Sequence, residues 1–256
     1  MARILAISSR VVRGHVGLDA AVPALQHLGH EVWALPTVLL ASRPGLGRLH
    51  ELPAIELSGM LSALEADGCW PMLDAVFTGY FPSAKAVAST AQAIAGIKAA
   101  KPDVPVFVDP ILGDAGRLYI AAETAAAIRD LLLPLATIAS PNLFELHWLS
   151  GGAARSLDDI AAAARGLGPT TVVVTSATET NISVGTLVVT ATTRIERVAL
   201  KHAGIPNGAG DVFAGLLLGH LLQGRSTEPA LDASLADLDR VLAASAGKSV
   251  LELSAL

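Results

Sequence analysis

This sequence predicts an α/β fold with a doubly wound, mostly parallel central sheet flanked by helices, and three observations predict it. Short apolar runs of strand length alternate with longer segments of helical spacing along nearly the whole chain, as in a parallel sheet with helical crossovers. Those runs end in small polar or acidic residues, as strands do where a sheet offers its carboxyl edge to ligands. Over residues 181–200 the alternation gives way to two consecutive strand-like runs, which places an antiparallel pair at an edge.

Taken in order, residues 3–8 are an apolar run closing on Ser8 and read as a buried strand. Ser8-Ser9-Arg10-Val11-Val12-Arg13-Gly14-His15-Val16-Gly17 follows as a loop at its carboxyl end. Residues 20–28 have helical spacing, with Pro23 tolerable only in a first turn, and Gly29 stops the helix. Residues 30–35 give a second strand, and 36–50, with two prolines and two glycines, a loop. Then come helix 55–66, strand 74–78, the alanine-rich helix 83–101 and strand 104–108, which ends at Asp109-Pro110. Helix 121–133, strand 136–139, helices 143–149 and 157–166 and strand 171–175 continue the alternation. Residues 181–190 and 194–200 are the two consecutive strands, joined by a threonine-rich turn. The turn Pro206-Asn207-Gly208-Ala209-Gly210-Asp211 opens onto the apolar run 216–222, suited to a buried helix, and an amphipathic helix over 231–246 closes the chain. With no linker, repeat or low-complexity block, residues 1–256 read as one domain.

Composition narrows the function. Of 256 residues 52% are hydrophobic and 16% charged, enough for a large core and against wholesale disorder. A net charge of −5 argues against a nucleic-acid binder, which presents a basic face. The single cysteine, Cys69, excludes an internal disulfide or a cysteine-rich metal site and reads as buried filler. The apolar core of Met1-Ala2-Arg3-Ile4-Leu5-Ala6-Ile7 is too short for a secretion signal, and no apolar run is long enough to span a bilayer. A soluble, cytoplasmic protein with no membrane partner is expected.

The chemistry gathers at predicted strand ends. A glycine turn opening onto a helix aims free N–H groups and the positive end of the helix dipole at one spot, which suits a phosphate or a developing anion. Asp211 places a carboxylate there, although alone it, or Asn207, could simply cap the helix. Asp109 ends a strand, Asp114 follows in the next loop, Asn142 and Glu145 share one face of a helix start, and Thr175 and Ser176 end another strand. Each singly has a bland reading as a strand end, cap or turn. Together, hard oxygen ligands beside an anion cradle describe a magnesium–nucleotide site, with an aspartate placed to take a hydroxyl proton in phosphoryl transfer.

The chain also resembles the pyridoxal kinases of the ribokinase-like superfamily over nearly its whole length. The likeness is carried by Ser9-Arg10-Val11-Val12-Arg13-Gly14-His15-Val16-Gly17, Leu25-Gln26-His27-Leu28-Gly29-His30-Glu31-Val32, Thr37-Val38 and Thr78-Gly79-Tyr80. It continues through Asp109-Pro110-Ile111-Leu112-Gly113-Asp114, Leu118-Tyr119, Ser140-Pro141-Asn142-Leu143-Phe144-Glu145-Leu146, Val174-Thr175-Ser176 and Asn207-Gly208-Ala209-Gly210-Asp211. The resemblance implies ATP-dependent phosphorylation of the hydroxymethyl group of pyridoxal, and of pyridoxine or pyridoxamine, in vitamin B6 salvage. Asp211 would be the base, and Gly208, Ala209 and Gly210 the anion hole. Asn142 and Glu145 would hold Mg2+ through water, with Asp109, Asp114, Thr175 and Ser176 near the metal and the ATP phosphates and K+ as a further ion. Ser9, Val16 and Tyr80 match positions that contact the pyridine ring. A homodimer is the family's usual state.

The departures fall mainly in the vitamin pocket. In Ala41-Ser42-Arg43-Pro44-Gly45, Arg43 stands over the substrate where the family has histidine; Leu18 replaces an asparagine, Pro82 a glycine, and Ala209 a frequent threonine. The stretch between Ser176 and Leu200 is short, so adenine contacts have no obvious place. Two rivals follow: a same-fold kinase for hydroxymethylpyrimidine or another hydroxymethyl heterocycle, and a non-catalytic vitamin or nucleotide binder. His15 reads equally as substrate contact or loop structure, His147 as surface and core, and His202 and His220 lack zinc spacing.

Overall fold

The computed structural model describes residues 1–43, 50 and 56–256. Pro44 and Gly45 of the departing loop, and Ile55 at the start of an expected helix, lie outside the described residues. The chain divides into two compact units, one made of residues 1–55 and 201–256, the other of residues 56–200.

The first unit begins with two long parallel strands, β1 (Arg3–Arg13) and β2 (Glu31–Ser42), joined through α1 (Leu18–His27). Both strands outrun their expected ends. The Ser8–Arg13 stretch, expected as loop, stays paired with β2 through a register irregularity between Ser8 and Arg10. Val11 is buried there while Arg10, Val12 and Arg13 face out. That alternation marks a half-buried strand, which a search for continuous apolar runs passes over.

α1 buries Leu18, Ala20, Ala21, Ala24 and Leu25. It starts at Leu18, so Pro23 falls beyond the first turn and leaves the Asp19 carbonyl without its helical donor. The His15 ring takes that place, its Nδ1–H donating to the Asp19 oxygen at 3.1 Å. The helix therefore carries an interior proline without losing a hydrogen bond, and His15 has a structural task. His30, also buried, accepts the Ala2 N–H on Nδ1 at 3.2 Å and donates from Nε2 to the Gly219 carbonyl at 2.9 Å.

The second unit opens with α2 (Leu57–Ala66), β3 (Ala75–Thr78), α3 (Ala84–Ala100) and β4 (Val106–Val108). Cys69, expected as filler, is half-buried in the turn after α2. Ser83 caps α3, its hydroxyl accepting the Ala86 N–H at 3.3 Å, and Val87, Thr90, Ala91, Ile94 and Ile97 form the buried stripe. Next come an unexpected hairpin of β5 (Gly113–Asp114) and β6 (Arg117–Leu118), then α4 (Ala122–Ala127). The helix expected to run to 133 widens into a π-turn over Ile128–Leu132 ahead of Pro134, whose ring and missing N–H end it. β7 (Ile138–Ala139), α5 (Leu143–Ser150), α6 (Leu157–Gly166), β8 (Thr171–Glu179), β9 (Ser183–Thr190) and β10 (Arg194–Leu200) complete the unit.

Its sheet has the order β10-β9-β8-β7-β4-β3. β3, β4, β7 and β8 run parallel, while β8, β9 and β10 pair antiparallel at the edge, as expected. Leu146, Ile160, Ala164, Val172, Val174, Leu187 and Val189 form a core between α5, α6 and this sheet.

The chain returns to the first unit with α7 (Ala209–Leu222) and α8 (Thr227–Ser245). α7 is buried without interruption from Val212 to His220. Val212 and Leu216 pack with Ala20, Ala24, Val241 and Leu251. His220 Nε2 meets the Asp237 carboxylate of α8 at 2.8 Å. No helix among the described residues is long and apolar enough to cross a membrane.

Candidate active site

Each unit gathers its own set of candidate residues. In the first, the turn before α7 is set by Gly208, which holds φ 113° as the helix N-cap. A Cβ there would lie 1.9 Å from the His15 carbonyl oxygen, so only glycine fits. The N-cap glycine itself has no side chain to cap the helix. The first bond of the helix runs from the Val212 N–H to the Gly208 carbonyl at 3.0 Å, which leaves the N–H groups before Val212 without helical partners.

Asp211 is the third residue of this helix, and its carboxylate turns back to its own N–H, one of the free donors of the first turn. The residue is half-buried, but its Oδ1 is shut off from solvent and has no hydrogen-bond partner. Burial drives its carboxyl up to about 6; the Gly17 N–H and its own N–H pull the other way. A carboxylate with one idle oxygen and an affinity for protons near neutrality is equipped to accept a proton.

Gly17 ties this base to the substrate-side candidates. It approaches Ser9 so closely that a Cβ would sit 2.4 Å from both the carbonyl oxygen and Oγ of that buried residue. Val16, next to it, is half-exposed. Ser9, Val16, Gly208 and Asp211 are thus brought together. Arg43 differs from its expected role over the substrate: its guanidinium is buried, and Nη2 donates to the Ser249 carbonyl at 2.6 Å. Residue type alone gives Gly17 no role in the site. The signal for its role was the Gly14/Gly17 spacing, two chances for the backbone to turn an N–H inward.

The second unit brings the metal and nucleotide candidates to the carboxyl ends of β4 and β7 and to the middle of β8, because Thr175 and Ser176, expected to end that strand, lie at a register break within it and pairing with β9 carries it on to Glu179. Asn142 and Glu145 form a reciprocal capping box on α5: Oδ1 of Asn142 accepts the Glu145 N–H, and Oε2 of Glu145 accepts the Asn142 N–H, both at 2.9 Å. Glu145 Oε1 takes the Leu112 N–H at 2.7 Å and the Gly113 N–H at 3.4 Å, while Asn142 Nδ2 donates to the Gly113 carbonyl at 2.9 Å. The loop carrying Asp114 is therefore fastened directly to α5. Asp109 is buried and accepts the Ser140 hydroxyl at 3.1 Å. Thr175 forms a parallel bridge to Asn142 and donates its N–H to the Pro141 carbonyl at 3.0 Å. Tyr80 follows β3 and is half-exposed.

Three residues here hold left-handed backbone that L side chains rarely adopt: Ile111 at φ 44°, Ala115 at φ 49° and Ser176 at φ 50°, the last inside the register break of β8. Such strain persists where the surroundings hold it, often at sites of function. Burial pushes the Glu145 carboxyl up to about 7 against the three N–H donors, and the charge of Asp114 adds to the rise. A buried carboxyl whose ionisation is this costly suits a hard divalent cation nearby, which would relieve it. Among the described residues no three His, Cys, Asp or Glu side chains gather as a direct shell.

Comparison with known proteins bears on the family and the fold. A family profile described as phosphomethylpyrimidine kinase matches residues 14–250. The chain is 38% identical over 249 residues to a pyridoxine/pyridoxal/pyridoxamine kinase of Bordetella avium, spanning 94% of this chain and 84% of that one. Among solved structures, pyridoxal kinase of Entamoeba histolytica superposes with TM-score 0.91 at 25% identity, covering 99% of this chain and 93% of its own. Pyridoxal kinase of Leishmania donovani in complex with ADP and pyridoxine gives TM-score 0.90 at 30% identity, covering 99% and 90%. With relatives this similar over nearly their full length, the chain belongs to the pyridoxal kinase family and has its ribokinase-like fold.

Proposed function

We propose that this chain is an ATP-dependent pyridoxal kinase that phosphorylates the hydroxymethyl group of pyridoxal, pyridoxine and pyridoxamine. The observation that carries the reading is Asp211, a carboxylate with an idle, desolvated oxygen at the N-terminus of α7 and a proton affinity near neutrality. In the reaction Asp211 takes the hydroxyl proton as that oxygen forms a bond to the γ-phosphorus. The bond from phosphorus to the β,γ-bridging oxygen breaks, and ADP leaves. The N–H groups of Gly208, Ala209 and Gly210 receive the charge that builds on the transferring group. Ser9, Val16 and Tyr80 face the pyridine ring, with Arg43 nearby.

Asp109, Asp114, Thr175 and Ser176 serve the nucleotide. Asn142 and Glu145 would hold Mg2+ through water, where it would draw charge from the triphosphate, and K+ would bind close by. Residues 1–256 work as one kinase domain. The protein acts in the cytoplasm as a homodimer.

A second reading is favoured by the description of the matching family, phosphomethylpyrimidine kinase: a kinase for a hydroxymethylpyrimidine. One assay separates them. Purified protein with Mg-ATP is offered pyridoxal, pyridoxine, pyridoxamine and hydroxymethylpyrimidine, and ADP and phosphorylated product are measured. The expected result is turnover of the B6 vitamers with the highest kcat/KM. Preference for the pyrimidine would replace the substrate, and binding without turnover would leave a non-catalytic relative.

A further inference from the structure

We infer that Arg43 is a positioning residue, which clamps the two segments flanking the Gly208 turn and so fixes Asp211 and its N–H cradle. The inference rests on the kinase reading above, because it assigns Arg43 to the base rather than to the vitamin.

The first segment is the Gly14–Gly17 loop. Arg43 is anchored at the end of β2 by its own N–H, which donates to the Arg13 carbonyl at 3.1 Å. Its aliphatic stem then lies across Gly14, where an added Cβ would meet Cγ at 3.0 Å and Cδ at 3.2 Å. Gly14 holds φ 108°, so any side chain there would be both strained and in the path of Arg43. The loop pinned in this way presents the His15 carbonyl to Gly208 and the Gly17 N–H to Asp211.

The second segment is the stretch after α8. The guanidinium reaches the Ser249 carbonyl at 2.6 Å, a short charge-assisted bond. Leu251, just beyond, is buried against Val212 and Leu216 of α7, and its Cδ1 would meet a Cβ on Gly208 at 3.0 Å. One side chain therefore grips both neighbours of the turn that carries the base. Arginine suits the task because its long stem packs while its planar head donates, which a histidine at this position could not do over the same span.

The test compares Arg43→Met and Arg43→Lys with wild type, using pyridoxal and Mg-ATP, and follows amide hydrogen exchange by segment. Losing the clamp displaces the base without removing it, so kcat of Arg43→Met is expected to fall at least about tenfold, with KM for pyridoxal within about threefold. Arg43→Lys, able to donate to Ser249, recovers most of the lost kcat. Exchange quickens in residues 14–18 and 247–251 of the methionine variant and not in β8 and β9. If that variant does not fold, Arg43→Gln carries the same comparison. An unchanged kcat, unchanged exchange in the two segments, or a raised KM with kcat kept would each overturn the inference, the last by showing direct contact with the vitamin. Should wild type phosphorylate none of the vitamers, the kinase reading fails and the exchange arm still decides whether the clamp exists.

Discussion

Replacing Asp211 with asparagine tests the proposed base and its energetic consequence together. The substitution keeps the shape, and the amide oxygen can still accept the Gly17 N–H, but the proton acceptor is gone. General-base catalysis contributes about 10²–10⁴ in rate, so kcat is expected to fall by that factor while KM for either substrate changes little. Wild-type kcat should decline below a pH near 6, where half the carboxylate is protonated; the residual rate of the variant should lack this limb. Stability moves the opposite way. The folded carboxyl sits at about 6 against an ordinary 3.8. Its contribution to stability is therefore fully present below 3.8 and lost as pH rises through about 6. The shift corresponds to at most about 3 kcal/mol above that window, and removing the charge removes the penalty. The variant should thus melt higher than wild type at pH 8, with the difference closing toward pH 4. A variant within tenfold of wild-type kcat, or one no more stable at pH 8 than at pH 4 relative to wild type, would refute the reasoning.

Other perturbations probe the supports around this centre. Gly208→Ala sets a Cβ 1.9 Å from the His15 oxygen. It should lower stability by more than the about 1–3 kcal/mol of left-handed strain alone, whereas Gly210→Ala, with nothing within 4 Å, should leave the melting temperature unchanged or raised; equal effects would sink the steric argument. His15→Ala strands the Asp19 carbonyl at a loss of about 1–2 kcal/mol. Most of that loss should vanish in a Pro23→Ala background, where the helix regains its own donor, and a double-mutant cycle with no coupling would deny the pairing. Glu145→Gln addresses the second unit. The wild-type carboxyl is raised from 4.5 to about 7, so its stabilising contribution is full below 4.5 and lost as pH rises through about 7. Unfolding in denaturant across that window should show wild type losing up to about 3 kcal/mol relative to the variant, and parallel pH curves would count against a buried, strained carboxylate.

The alternation of strand and helix was legible because a buried parallel strand is a continuous apolar run, and β3, β4 and β7 are of that kind. The carboxyl halves of β1 and β2 were not. There the chain carries arginines and a proline on a half-exposed ribbon, and residues such as Arg10, Arg13 and Pro36 read locally as loop although cross-strand pairing holds them extended. The β5–β6 hairpin was missed for a different reason. Two left-handed residues, Ala115 and Gly116, make its turn, and of these only the glycine advertises it. Pro23 was judged by the rule for helix interiors, which omits the chance that a side chain from outside replaces the lost donor, as His15 does.

The acceptors at the candidate site were readable one by one, since an aspartate, asparagine or glutamate after an apolar run is conspicuous. Their partners were not, because they are backbone N–H groups that every residue owns. Gly17 opposes the rise in proton affinity at Asp211; Leu112 and Gly113 do so at Glu145. In both places burial wins over these donors, leaving a carboxylate closer to neutrality than its residue type implies. The donors are set by turns whose glycines or strained residues aim them: Gly14 and Gly17 on one side, Ile111 on the other. The side chains of the proposed kinase site thus came from residue identity, and the proton affinities that give them work at neutral pH come from backbone geometry. A substitution in the turns, at Gly17 or Ile111, should consequently move the pH dependence of the protein without touching an acidic residue.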